Sequence, residues 1–472
     1  MPNILVIMTD QQRADALGCA GNPVVKTPNI DSIAATGTRF SNTYSQAPLC
    51  APNRASLYTG RYTAAHGVMC NGVEFVVSEE NKSVAQVFKD NGYKTACFGK
   101  MHLHGPTGFD LGFGDSPEDN YQLHDYEREI GPKSSPDNPM GNAIRSSLED
   151  HAIGKMEVEP ENSFENIITD RAIEFIRNRG EDGPFLVWLS FFGPHPPYAA
   201  PEPYHSMYDP DDIPDAPKPP EGVQDDARNF RGYLADYAPG GKLDAEDWPR
   251  LAAQYYGMCT HIDDNVGRVL RALEEEGLSD ETIVVYTSDH GDSLGDHGFH
   301  SKGLYMYEGI AKAPFIISVP GVTGGEVSEA LVQSVDLMPT LLELTGVDRP
   351  DSVQGKSLVP IIRGEQEHVH DVVLAEVGFI PSERVVMIRT GNHKYVYYTD
   401  GSEELFDLKN DPNEFTNLAA LAENKDLVSE MRLKMLDMKI RTEDPLPRNM
   451  LPTMGDVTPL SSTGRKPLIE PE

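Results

Sequence analysis

The amino-acid sequence predicts an α/β protein: a large sheet covered by helices on both faces, followed by a smaller C-terminal α+β domain. Three observations predict it. Apolar runs of strand length recur at residues 4–8, 95–98, 185–191, 283–286 and 315–319, continuous rather than alternating, as parallel strands buried on both faces require. Stretches with helical periodicity, 54–58, 84–90, 167–177, 251–275 and 337–344, fall between them. Beyond Gly364 the pattern shortens to strand-like segments at 372–374, 384–389 and 394–398 and one helix at 425–440. At 472 residues the chain exceeds one ordinary core. The boundaries read as 1–364 for the α/β domain, 365–443 for the small domain and 444–472 for a loose arm containing Pro, Ser and Thr. Two stretches, 106–160 and 201–249, are rich in Pro, Gly, Asp and Asn and interrupt the alternation. They read as surface insertions, either rimming an active site or simply variable.

Taken in order, the first run follows Met1-Pro2-Asn3 with no basic segment before it and no small-residue cleavage site after it, so it reads as a strand and not a signal peptide. No apolar stretch approaches the roughly 20 residues of a bilayer span. The cysteines Cys19, Cys50, Cys70, Cys97 and Cys259 are odd in number and scattered without a C-x-x-C pair, against a disulfide framework or a zinc knuckle. A cytoplasmic location with no membrane partner is the expectation. Forty Lys and Arg against 74 Asp and Glu give a net charge of -34, which argues against nucleic acid as a partner. An anionic substrate would need a local cluster of cations to overcome that field.

Thr9-Asp10-Gln11 follows the first strand, at the end where open α/β sheets form ligand crevices. Thr287-Ser288-Asp289-His290 follows the strand at 283–286, so the two aspartates can converge. Either aspartate alone could be a helix cap; both at strand ends favour a metal. Two carboxylates, a carboxamide oxygen and an imidazole suit Ca²⁺, Mn²⁺ or Mg²⁺ better than zinc. In Leu49-Cys50-Ala51-Pro52-Asn53-Arg54-Ala55-Ser56-Leu57-Tyr58-Thr59-Gly60, Pro52 suits a first helical turn and Gly60 a helix end. Cys50 then stands just before a helix N-terminus, where thiol pKa values fall. A lone cysteine is otherwise a small buried hydrophobe. Gly291-Asp292-Ser293-Leu294-Gly295 fits both G-x-S-x-G and an esterase-like GDSL string, but Asp289 and His290 occupy the strand end and Ser293 comes too late for a nucleophile elbow. His297 is expected to order that loop and His300 to be solvated.

Cys50, Pro52 and Arg54 followed by a short helix and Thr59-Gly60 resemble the sulfatase signature read by formylglycine-generating enzymes. Asp10, Gly99-Lys100-Met101-His102, Pro194-His195-Pro196, Asp289-His290-Gly291, Lys302, Glu404-Leu405-Phe406-Asp407-Leu408, Asp411-Pro412 and Asn417-Leu418 stand in the family's order. The chain is similar to the sulfatase branch of the alkaline-phosphatase-like superfamily, which implies a large mixed sheet sandwiched by helices and a smaller C-terminal α+β domain. Gln11 and His290 depart from the second aspartate and the asparagine of many sulfatases and resemble a subgroup that includes choline-sulfatase-like and phosphonate-monoester-hydrolase-like enzymes.

The resemblance implies Asp10, Asp289, His290 and a formylglycine made from Cys50 as metal ligands, with Gln11 provisional. Ca²⁺ is the first choice of ion, with Mn²⁺ or Mg²⁺ as alternatives. Arg54, Lys100, His102, His195 and Lys302 supply the cationic cluster, and Asn71 stands where the subgroup contacts sulfate. His102 would assist release of sulfate, Lys302 and His195 would stabilise or protonate the leaving oxygen, and Lys100 and Arg54 would hold charge developing in transfer. The implied function is hydrolysis of a small-molecule sulfate ester by an arylsulfatase-like sulfuric ester hydrolase. A phosphonate monoester or phosphodiester hydrolase using the same site is the alternative. A formylglycine-generating enzyme is the implied maturation partner, and the oligomeric state, a homo-oligomer included, stays open.

Overall fold

Strand β1 (Asn3–Thr9) is apolar through its centre because both its faces are covered. Ile4, Val6 and Met8 enter one core with Trp188 and Val285, and Leu5 and Ile7 enter a second with Leu189 and Tyr286. Burying each such side chain contributes about 1.5–3 kcal/mol, so this strand anchors the middle of the sheet. In the computed structural model, residues 1–103, 110–114, 120–121, 153–156, 158–180, 183–221, 247–378 and 383–443 are described. Most of the two insertions and the whole arm 444–472 lie outside them.

The main sheet combines β1 with β2 (Thr38–Tyr44), β3 (Lys94–Gly99), β4 (Asn120–Tyr121), β6 (Phe185–Ser190), β8 (Thr282–Ser288), β9 (Phe315–Ser318) and β10 (Glu326–Gln333). Their order is β10-β2-β9-β8-β1-β6-β3-β4, and two short strands, β5 (Ile153–Lys155) and β7 (Tyr198–Ala200), pair separately. Helices α2 (Cys50–Thr59), α3 (Val84–Asp90) and α6 (Leu337–Thr345) cover the face of Ile4, Val6 and Met8. Helices α1 (Pro28–Thr36), α4 (Phe164–Asn178) and α5 (Asp247–Glu275) cover the opposite face through Ile30, Ile168 and Val266. The helix sandwich and the mixed sheet are as expected.

Two features differ from the sequence reading. The segment at 315–319 forms a strand, but β9 runs antiparallel to both β8 and β2. The chain leaves β8 and returns to the same sheet edge without crossing a helix over the sheet, so its direction reverses. Strands β2 and β10 give no continuous apolar run because they lie at the margin: β2 is only partly buried along its length and the first half of β10 is largely exposed.

The C-terminal part forms a four-stranded antiparallel sheet of β11 (Val373–Val377), β12 (Val385–Arg389), β13 (His393–Tyr398) and β14 (Glu403–Asp407). One face packs Leu374, Ile388, Tyr395 and Leu405 against Val428, Met431 and Met435 of α7 (Lys425–Thr442). The other face places Val373, Ala375 and Met387 against Tyr44, Leu49 and Met306, which braces the segment leading into α2.

All five cysteines are free, in line with their scattered spacing. Among the described residues no helix is long and apolar enough to cross a membrane.

Candidate active site

The register of the parallel strands gathers the chemistry. Thr9 lies opposite Ser288, so the next residues, Asp10 and Asp289, leave the sheet side by side. Gly99 and Met8 both pair with Ser190, which brings Lys100 to the same edge. His195 arrives on the turn after β6, tied back by the Asp10 amide donating to the Gly193 carbonyl at 3.2 Å.

Helix α2 begins at Cys50 itself, one residue earlier than expected, with Leu49 as an extended N-cap that provides no side-chain cap. Asn71 takes that function one residue on, accepting from the Ala51 amide at 3.0 Å. Gly60 closes the helix in the left-handed conformation (φ 63°), where a Cβ is disfavoured. All ten residues of α2 are buried, which fixes the Cys50 thiol in place.

Cys50 Sγ lies 3.3 Å from His290 Nε2, 3.6 Å from Asp10 Oδ1, 3.1 Å from Lys302 Nζ and 3.9 Å from Lys100 Nζ. The ligand atoms of Asp10, Cys50, Asp289 and His290 all fall within 4.8 Å of one another, and all four residues are buried. His290 Nδ1 faces the Gly291 carbonyl at 2.8 Å; a proton there leaves the Nε2 lone pair directed into the cluster, as metal-ligating histidines require. Beneath them Arg54 joins the two carboxylates, donating from Nε to Asp289 Oδ2 at 2.8 Å and from its terminal nitrogen to Asp10 Oδ2 at 2.9 Å, with all three side chains fully buried. Arg54 also donates to the Lys100 carbonyl and to Ser190 Oγ. Its guanidinium is therefore occupied in holding ligands.

The electrostatics follow from this packing. Burial pushes the Asp10 pKa up, but Lys100, His195, Lys302 and Arg54 together bring it well below the usual carboxylate range. Asp289 is raised, by burial and then by the nearby Asp10 charge. Burial and Asp10 oppose ionisation of Cys50, yet Lys100, Lys302 and His290 hold its thiol well below the ordinary value. Burial lowers Lys302 less than Cys50, Asp10 and Asp289 raise it, so it stays protonated. His195 falls to about 4, through burial and then the charges of Lys302 and Lys100. Its Nδ1 lies 2.6 Å from the Pro196 carbonyl and its Nε2 3.9 Å from Asp10 Oδ1. Arg54 offsets the two carboxylates from one side through their Oδ2 atoms, and the clustered donor atoms of Asp10, Cys50, Asp289 and His290 fit a divalent ion in type and spacing.

Gln11 sits in the left-handed region (φ 66°), a conformation that is costly for a residue with a Cβ. Every polar atom of the residue is engaged. Its amide donates to Asp289 Oδ1, its carbonyl accepts from Tyr255, its Oε1 accepts from Lys302 Nζ at 2.6 Å, and its Nε2 donates to Asp292 Oδ2 at 2.5 Å and Ser301 Oγ at 3.1 Å. His102 lies two residues beyond Lys100, half buried and also left-handed (φ 53°).

The structure thus brings Asp10, Gln11, Cys50, Arg54, Lys100, His195, Asp289, His290 and Lys302 to one sheet edge, with Asn71 at the adjoining helix start. His300 is buried, contrary to the expectation of a solvated side chain. His297 stacks on Tyr307 within that loop, and Ser293 Oγ pairs with Tyr305 at 2.6 Å, so neither joins the cluster. Sequence reasoning missed the supports: Asp292 under Gln11, Ser190 under Arg54, and Ser45 and Asn53, which both donate to the Asp289 carbonyl. Asp292 follows Asp289-His290-Gly291 directly, but a single chain offers no sign that its carboxylate turns inward.

Comparison with known proteins agrees with this geometry. Residues 2–347 match the family model described as sulfatase, and residues 295–441 match the one described as N-sulphoglucosamine sulphohydrolase, C-terminal. The chain is 34% identical to an arylsulfatase of Clostridium perfringens, covering 91% of this chain and 93% of that one. It is 30% identical to a choline-sulfatase of Rhizobium meliloti, covering 89% and 82%. The solved phosphonate monoester hydrolase of Silicibacter pomeroyi superposes with a TM-score of 0.80 at 27% identity, over 94% of this chain and 96% of that one. The matched span runs from β1 through α6 and so includes each strand end and helix that builds the cluster: this chain belongs to the sulfatase family.

Proposed function

We propose that this chain hydrolyses a sulfate monoester to an alcohol and inorganic sulfate, with Cys50 converted to formylglycine and one divalent cation held by Asp10, Gln11, Asp289, His290 and residue 50. The observation that carries the reading is the place of Cys50: at the first turn of a buried helix, inside a ligand cluster and between two lysines. The family membership supports the reaction class.

Formylglycine supplies, as its hydrate, an oxygen nucleophile in place of a thiol. A divalent cation in this donor set lowers the pKa of that oxygen and offsets the charge of the sulfate. The chain's own residues do the rest. Arg54 orients both aspartates, and because its donors are spent on them it acts through the ligands. Lys100 and Lys302 flank residue 50 and form the local cation cluster that draws a sulfate into a strongly acidic protein. Lys302, protonated and directed at residue 50, stabilises the ester oxygen as the bond to sulfur breaks. Neutral His195 with its Nδ1 proton on Pro196 presents an acceptor at Nε2, so it donates a proton only after a bound anion has raised its pKa. His102 is assigned to the release of sulfate. With oxygen donors predominating after conversion of Cys50, Ca²⁺ is the expected ion, ahead of Mn²⁺ and Mg²⁺.

A second reading, hydrolysis of phosphonate monoesters or phosphodiesters, is favoured by the likeness to the phosphonate monoester hydrolase. Both anions are tetrahedral oxyanions that the same residues can hold. A rate panel of aryl sulfate, choline sulfate, a phosphodiester and a phosphonate monoester separates them, run on enzyme whose Cys50 peptide has been weighed. Faster turnover of the phosphonate would favour the second reading. Full activity with an ordinary thiol at Cys50 would overturn the nucleophile in both.

A further inference from the structure

Gln11 can serve the site in only one orientation. With Oε1 toward Lys302 it offers an acceptor to the ammonium and to a cation in the cluster; rotated by half a turn about χ3 it would present an NH₂ group to positive charge. We propose that Asp292 is the positioning residue that sets this orientation, an inference that rests on the metal-dependent reading above.

Asp292 is fully buried and its carboxylate is saturated. Oδ1 accepts from the Leu294 amide at 2.8 Å and the Ser301 amide at 2.9 Å, whereas Oδ2 accepts from Gln11 Nε2 at 2.5 Å and Tyr198 at 2.8 Å. An ionised carboxylate only accepts hydrogen bonds, so the end of Gln11 facing it must be the NH₂ group. Oε1 is thereby aimed at Lys302, whose Nζ is 3.1 Å from Cys50 Sγ. The same carboxylate grips the Ser301 amide, next to Lys302 in the chain. One side chain therefore orients both a candidate ligand and the loop carrying the lysine.

The asymmetry can be reversed by design. In Asp292→Asn the remaining oxygen is locked on the Leu294 and Ser301 amides, because turning the carboxamide would set NH₂ against two N–H donors. The new NH₂ then faces Gln11, whose carboxamide must rotate to accept from it and present NH₂ to the site. Such a loss of an outer partner typically weakens metal binding about 10- to 100-fold. Adding Gln11→Glu repairs the pairing: one oxygen of the carboxylate introduced at position 11 accepts from the carboxamide at position 292, and the other faces the site. Gln11→Glu alone sets two carboxylates at contact distance, lowering the metal-free melting temperature.

The test is Ca²⁺ titration calorimetry of the full chain, wild type beside Asp292→Asn, Gln11→Glu and Asp292→Asn/Gln11→Glu, with metal-free melting curves for each, so that the charge added at position 11 is separated from its pairing with position 292. The expected result is an Asp292→Asn Kd weakened by about 10- to 100-fold and a double variant that binds at least as tightly as wild type to within about threefold, a non-additive recovery that a merely structural Asp292 would not give. Wild-type affinity in Asp292→Asn, or a double variant no tighter than that single one, overturns the proposal. If Asp292→Asn does not fold, the double variant alone decides. A wild type that binds no divalent cation would instead overturn the metal-dependent reading itself.

Discussion

Replacing Arg54 with Met tests the electrostatic foundation of the site. Met replaces the apolar stem of Arg, so packing along the stem is kept while the guanidinium is lost. Asp10 retains Lys100 at 2.7 Å on the same oxygen, but Asp289 Oδ2 loses its cation at 2.8 Å in a fully buried position. Breaking a buried pair by removing one partner costs about 3–5 kcal/mol, because a charge is left uncompensated. With an unfolding entropy of about 2.1 cal/mol/K per residue, 472 residues convert that loss to roughly 3–5 °C in Tm. A bound divalent cation supplies positive charge to the same carboxylates, so the deficit should be largest in chelator and shrink as Ca²⁺ is added. Calorimetric melting of both proteins, with EDTA and with saturating Ca²⁺, reads both effects. Equal melting temperatures in EDTA would refute the claim that Arg54 compensates the buried carboxylates; an equal deficit with and without Ca²⁺ would refute a cation at these carboxylates.

Lys302→Ala should lower kcat by about 10²- to 10³-fold through the lost contact to the leaving oxygen, with alkyl sulfates affected more than nitrophenyl sulfates; equal losses along a leaving-group series would mean that Lys302 only binds the sulfate. Away from the site, Glu414 is raised to about 7, by burial and by Glu308 against the opposing Lys394. A raised carboxyl stabilises the fold below its unfolded value and loses that contribution as pH climbs through the folded one, so the Tm of wild type relative to Glu414→Gln should fall between about pH 5 and about pH 7.5. Glu308, lowered to about 2 with burial opposed mainly by Lys394, titrates below that window. A pH-independent difference would place the proton elsewhere.

Much of the site was legible because its residues sit where local signals are strong. Asp10 and Asp289 follow apolar strands whose ends read directly from the sequence, and Cys50, Pro52 and Arg54 share one short motif. The supports were not legible, since Asp292, Ser190, Ser45 and Asn53 act through hydrogen bonds to residues far away in sequence, and nothing local distinguishes a buried Asp or Ser from a solvated one. The same limit explains His300, polar in type yet buried, and β2 and β10, whose marginal positions in the sheet remove the continuous apolar pattern.

By itself, then, the sequence determined the layered α/β architecture, the strand ends that carry the aspartates and the helix that carries Cys50, because hydrophobic periodicity and turn chemistry act over a few residues. Only the tertiary structure decided that β9 runs against its neighbours, that Arg54 is spent on the two carboxylates, and that Gln11 faces Lys302 because Asp292 accepts from its other end. Those outcomes depend on which donor meets which acceptor across the sheet edge, and that pairing exists only once strands distant in sequence are in register.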